Sequence, residues 1–119
     1  MKTGGRFRFP LETVLMVRSL REEQARLEVA QAQNQLARSR QALTETEALI
    51  SGALTRMKEV RTRNWHASEY QMVFRYLEHL KQAREGWREQ ISREEEIVAE
   101  KMLVLEKCHQ ERRLLENLR

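Results

Sequence analysis

The chain has 119 residues, 22 basic and 18 acidic, and a net charge of +4. Charged residues make up 34% and aromatic residues 6%, with 4 glycines, 1 proline and no aspartate. That leaves little turn material for a sheet or a many-element fold, and it favours Glu, Gln, Arg, Ala and Leu, which are good helix formers. Residues 1–60 hold 10 basic and 7 acidic side chains, residues 61–119 hold 12 and 11. Such mild, interspersed charge fits a solvated helix face; a nucleic-acid arm would cluster its Lys and Arg.

The first informative stretch is FRFPLETVLMVR, Phe7 to Arg18. Two phenylalanines alternate with arginines, a proline follows, and an apolar helical pattern begins at once. A hydrophobic staple accounts for one phenylalanine at most. Phe7 and Phe9, with Arg6, Arg8, Arg18 and Arg21, make a basic, apolar end that reads as a docking segment.

From there a heptad frame runs to about residue 62. Its a positions are Leu15, Glu22, Val29, Leu36, Leu43, Ile50 and Met57. Its d positions are Arg18, Ala25, Ala32, Ser39, Thr46, Ala53 and Val60. The a side is large and apolar and the d side mostly small, so the pattern predicts a coiled-coil seam against a closely approaching partner helix. Glu22–Arg26, Glu59–Arg63 and Glu89–Arg93 have the i,i+4 spacing of supporting ion pairs.

The frame ends at RTRNWHASEYQ. Asn64 can close a helix in the left-handed region, and Ser68 with Gln71 has the form of a capping box, which predicts a turn over about 63–68. A connection this short sends the next helix back antiparallel. That helix, over about 69–118, has its own frame. Tyr70, Leu77, Arg84, Ile91, Val98, Leu105 and Arg112 take a; Val73, Leu80, Trp87, Glu94, Lys101, Cys108 and Leu115 take d. Charges interrupt this seam, which predicts modest stability. The expected fold is all-α: a single domain made of one long antiparallel two-helix coiled-coil hairpin, monomeric when free. Each arm has roughly 50 residues, about 75 Å of helix at 1.5 Å per residue. In that register Glu22 and Arg112 meet across the arms. Gly52 and Gly86 fall inside the helices and read as tolerated defects, with a flexible or closely packed point as the other reading.

Little here suggests catalysis, and the chain reads as a non-enzyme without catalytic residues, cofactor or metal. There is no Gly-rich phosphate loop, and His66, His79 and His109 are scattered. Cys108, at d, reads as a small core residue; a lone thiol fits a reducing compartment. No signal peptide or membrane-length apolar run is visible, which points to the cytoplasm. Five of the seven aromatics, Trp65, Tyr70, Phe74, Tyr76 and Trp87, lie within 23 residues near the turn. Phe74 and Tyr76 fall off the seam. They serve either as a binding surface or as packing at the tip.

Two stretches carry a resemblance. FRFPLETVLMVRSLREEQARLEVAQAQ and ASEYQMVFRYLEHLKQ, with Tyr76, Leu77 and Leu80, resemble the opening and the post-turn segment of the flagellar FliJ family. The resemblance spans nearly the whole chain. It implies an antiparallel hairpin similar to the central stalk of rotary ATPases. It would enter the flagellar export ATPase ring and promote ring assembly, link it to the cytoplasmic domain of the export gate, and handle export chaperones, at the inner membrane of the flagellar base. Carried over, the ATPase end comprises Phe7, Phe9, Leu11, Leu15, Arg18, Arg112 and Leu115, and the gate-facing stripe Val73, Leu77, Leu80 and Arg84. The rival readings are a generic coiled-coil scaffold, the stalk protein of an injectisome, and a peripheral binder of lipid surfaces.

Overall fold

The computed structural model describes residues 10–62 and 66–118. They form two long helices and no strand. Helix α1 spans Leu11–Thr62 and helix α2 spans Ala67–Glu116. Phe7, Phe9, Arg63, Asn64 and Trp65 lie outside the described residues, and with them the Glu59–Arg63 pair and the proposed Asn64 cap.

Both helices begin on a backbone carbonyl. Pro10 O accepts from the amides of Thr13 (3.0 Å) and Val14 (3.1 Å). Proline costs nothing there, because its missing N–H lies ahead of the helical ladder. His66 O accepts from the amides of Glu69 (3.0 Å) and Tyr70 (3.3 Å). This corrects the capping-box expectation: α2 starts at Ala67, so Ser68 is already inside its first turn. Glu12 and Glu69 sit in the first turns and Arg61 and Arg113 in the last, each with the sign that the helix dipole favours.

The helices fold back as a hairpin, and their contacts gather in two units: Met1–Gln33 with Glu96–Arg119, and Asn34–Glu95. Within the second unit, Ile50, Ala53 and Met57 of α1 pack with Leu77 and Leu80 of α2, and Tyr70 and Val73 close over them. Burying each leucine stabilises by about 1.5–3 kcal/mol. Thr46 is buried at a d position, and its hydroxyl donates to Ala42 O at 2.8 Å, so no polar atom is left stranded there. Ion pairs flank this seam, Arg40–Glu95 at 3.1 Å and Arg88–Glu47 at 3.8 Å.

Within the first unit, Leu15, Ala25 and Val29 of α1 are buried, while Val98, Leu105, Cys108 and Leu115 of α2 are only half-buried. Polar pairs close the gaps: Arg18–Glu111 at 2.7 Å and Lys101–Glu28 at 2.8 Å. The a and d frames expected from the sequence account for the burial on both helices. Each of those positions is buried or half-buried, including the charged ones. A methyl group added at Gly52 or Gly86 meets nothing within 4 Å, so neither glycine is held by close packing.

Candidate functional site

Two regions carry the residues singled out above, and each belongs to its own unit. In the first unit, Leu15 is buried and Leu11 and Leu115 are half-buried. Beside them α1 presents an apolar flank of Val14 and Val17 to a shallow groove of about 400 Å³, with Thr13, Arg18 and Arg21 at its edges. Met16 and Leu20 are exposed on the same helix, and Leu114 and Leu118 on α2.

The charges of this unit are largely spoken for internally. Glu22 is 2% exposed at an a position. Its Oε2 accepts from Arg112 Nε, and its Oε1 accepts from Arg26 Nη2 at 2.9 Å. The same Oε1 lies 2.9 Å from His109 Nδ1. A carboxylate only accepts, so this contact is a hydrogen bond in the tautomer that carries the proton on Nδ1; Arg112 Nη2 also lies 3.4 Å from the same nitrogen. The Arg112 hydrogen bond is the main force holding the Glu22 carboxyl below the usual range; burial pushes the other way, and His109 and Arg26 add to the lowering. Arg112 also reaches Glu116. The Glu22–Arg112 contact expected across the arms is therefore present. Arg18 is committed to Glu111.

In the second unit, the post-turn stripe turns inward. Leu77 is 3% and Leu80 9% exposed, and Val73 packs on the same cluster. Arg84 is half-buried, and its Nε has no hydrogen-bond partner. What faces outward is the neighbouring set, with Phe74 47%, Tyr76 46% and Met72 71% exposed. The sequence placed Phe74 and Tyr76 off the seam, and that is where they stand. A shallow groove of about 290 Å³ runs between Ala53, Arg56, Met72 and Tyr76. Another, of about 380 Å³, opens beside Leu54 and Phe74.

A polar layer interrupts this unit further along the seam. Ser39 is 1% and Glu94 4% exposed. Gln90 Nε2 donates to Glu94 Oε2 at 3.0 Å. The Ser39 hydroxyl beside Glu94 is the main cause holding that carboxyl below its usual range, against the effect of burial. Yet neither Ser39 Oγ nor Glu94 Oε1 closes a full hydrogen bond. The frame had put both residues at d; that they would face each other depends on the register between helices. Arg93, expected to pair with Glu89, donates to Gln90 Oε1 at 2.7 Å.

Among the described residues no three His, Cys or Glu side chains gather as a metal site. Likewise no helix among them is long and apolar enough to cross a membrane. The grooves are open and shallow along helix flanks, a shape suited to other helices.

No curated protein and no solved structure matches the chain. The family model described as flagellar FliJ protein matches residues 7–119, from the first phenylalanine of the opening motif through both helices. That match spans essentially the whole helical hairpin, and the chain therefore belongs to the FliJ family, non-enzymatic components of the flagellar protein export apparatus.

Proposed function

We propose that this protein is the stalk-like coiled coil of the flagellar type III export apparatus. The end that holds both termini docks into the export ATPase ring and promotes its assembly. The post-turn segment meets the cytoplasmic domain of the export gate, and the surface also receives export chaperones. The protein acts free of cofactors, on the cytoplasmic face of the inner membrane, as a monomeric hairpin before it docks.

The observation that carries this reading is the apolar surface of the first unit, where Met16, Leu20, Leu114 and Leu118 are exposed around a seam that is only partly closed. An isolated hairpin gains nothing from such a surface; insertion into a protein ring would cover it. Leu11, Leu15 and Leu115 shape that end, and Phe7 and Phe9 precede it in sequence. Arg18 and Arg112 have partners in Glu111 and Glu22, so their part is to hold the end in shape. At the gate-facing segment, Leu77, Leu80 and Val73 belong to the apolar cluster behind the exposed Met72, Phe74 and Tyr76, and Arg84 is half-buried further along α2.

The test is ATP hydrolysis by the cognate export ATPase with and without this protein, alongside the ring population by electron microscopy. More rings and faster turnover are expected, and both should be lost in a Phe7→Ala, Phe9→Ala double variant. No effect from a folded, helical wild type would favour a generic coiled-coil scaffold.

A further inference from the structure

The side of the second unit's seam that follows each d position carries a ladder of facing residues. On α1 these are Arg40, Glu47, Leu54 and Arg61; on α2 they are Phe74, Lys81, Arg88 and Glu95. Arg40 pairs with Glu95 at 3.1 Å, and seven residues on, Glu47 meets Arg88 at 3.8 Å. Another heptad forward on α1 and back on α2 sets Leu54 opposite Lys81, and the next sets Arg61 opposite Phe74. The charge complementarity of the first two rungs stops there. Each of the last two rungs places a cation against an apolar side chain.

The groove of about 380 Å³ opens at those two rungs. Tyr70, Leu54 and Phe74 form its apolar walls over the buried Met57 and Leu77. Lys58, Arg61 and Lys81 stand along it, and no carboxylate lines it. Among the described residues Lys58 and Arg61 form no ion pair, and Lys81 reaches only Glu78 of its own helix, at 3.7 Å with both side chains nearly half-exposed. A two-helix seam flanked by unmatched cations and exposed Leu54 and Phe74 has the form of a bundle lacking one helix.

We infer that this groove docks an acidic amphipathic helix from another protein. Leucine or aromatic anchors of that helix would sit between Leu54, Tyr70 and Phe74. Its glutamates or aspartates would meet Lys58, Arg61 and Lys81, supplying the carboxylates that the ladder lacks. Helix-in-groove recognition uses anchors at i, i+3, i+4 and i+7, and a groove parallel to two helices presents the matching surface. Charge along the rim fixes which helix docks more than how tightly it binds. The groove shares Leu77 with the gate-facing segment proposed above, so the inference deepens that part of the reading by naming the chemistry of its partner, and it stands or falls separately from ring docking.

The experiment uses the full chain and two synthetic probe helices. Both carry leucine at i, i+3, i+4 and i+7; one has glutamate at the remaining positions, the other lysine. Binding is read by fluorescence anisotropy, and the contact surface by amide chemical-shift changes. The glutamate probe should bind and shift Leu54, Phe74 and Lys81. Phe74→Ala, and a Lys58→Glu, Lys81→Glu double variant, should each weaken it by about tenfold or more. The double variant should instead bind the lysine probe, whereas Tyr76→Ala, outside the groove, should change neither. All these positions are exposed or half-buried, so circular dichroism should show every variant as helical as the wild type. Equal binding of both probes, shifts confined to other surfaces, or no binding would overturn the inference. So would self-association through this face by sedimentation, or binding only to vesicles of anionic lipid.

Discussion

Glu22 is the residue where the chain's charge does most for its shape. A carboxylate at an a position would ordinarily open a two-helix seam. Here Arg112 and Arg26 neutralise it, and His109 lies within hydrogen-bond distance of the same carboxylate. Replacing it removes the charge that Arg112 and Arg26 share and leaves Arg112, among the described residues, only Glu116 as an ionic partner, so Glu22→Gln should lower Tm at pH 7 by about 5 °C, the shift that about 1 kcal/mol produces in a small domain. The pH dependence has a definite sign. The folded carboxyl lies below its ordinary value, so its contribution is complete above that value, about pH 4.3, and is lost as pH falls through the lower folded one. Glu28 and Glu94 are lowered in the same sense, by Lys101 and by Ser39 respectively. The wild-type melt should therefore hold from neutral pH to about pH 5 and decline below it, and Glu22→Gln should decline less, the two curves converging in acid. Parallel curves across the whole range would mean that the Glu22 carboxyl binds its proton equally well in the folded and unfolded chain, so that its partners do not hold it below the ordinary value.

At the scale of the helices, the seam mixes true core with polar layers, and the two have opposite energetic signs. Ser39 and Glu94 are almost fully buried, yet each keeps an atom without a hydrogen bond. Apolar replacements of similar size remove that desolvation cost. Ser39→Ala with Glu94→Leu should raise unfolding free energy by about 1–2 kcal/mol, read from urea denaturation. A loss instead would mean that the layer holds the helices in register, a role that buried polar residues serve in other coiled coils. Much of this was legible in the sequence because heptad periodicity is local. Leu15, Val29, Leu36, Ile50 and Met57 declared one face of α1 without reference to any partner. The start of α2 was misplaced because the cap is the carbonyl of His66, which leaves no side-chain signature, while Ser68 and Gln71 imitate one. The groove beside Leu54 and Phe74 was not legible either. It depends on which residues of the two helices face each other, and neither helix's own pattern contains that register.

For the whole molecule, the question is how a single chain can be a settled hairpin and also serve the docking proposed for it. The second unit answers the first half, with Ile50, Ala53, Met57, Leu77 and Leu80 gathered in one apolar cluster. The first unit lacks such a cluster on its α2 side, where Val98, Leu105 and Leu115 remain half-buried and charged pairs fill the seam. Local opening is cheapest where few apolar contacts must be broken. Native-state hydrogen exchange should therefore find the slowest amides at Ile50–Met57 and Leu77–Leu80, and faster ones at Leu15–Glu22 and Leu105–Leu115. If the proposed ring docking holds, adding the export ATPase should slow exchange in the first unit while leaving the apolar cluster of the second nearly unchanged, because a partner that covers Met16, Leu20, Leu114 and Leu118 adds contacts where the free hairpin has fewest. Uniform protection along both helices in the free protein would mean that the polar seam is as firm as the apolar one. The proposed docking into a ring could not then draw on the folding of that end.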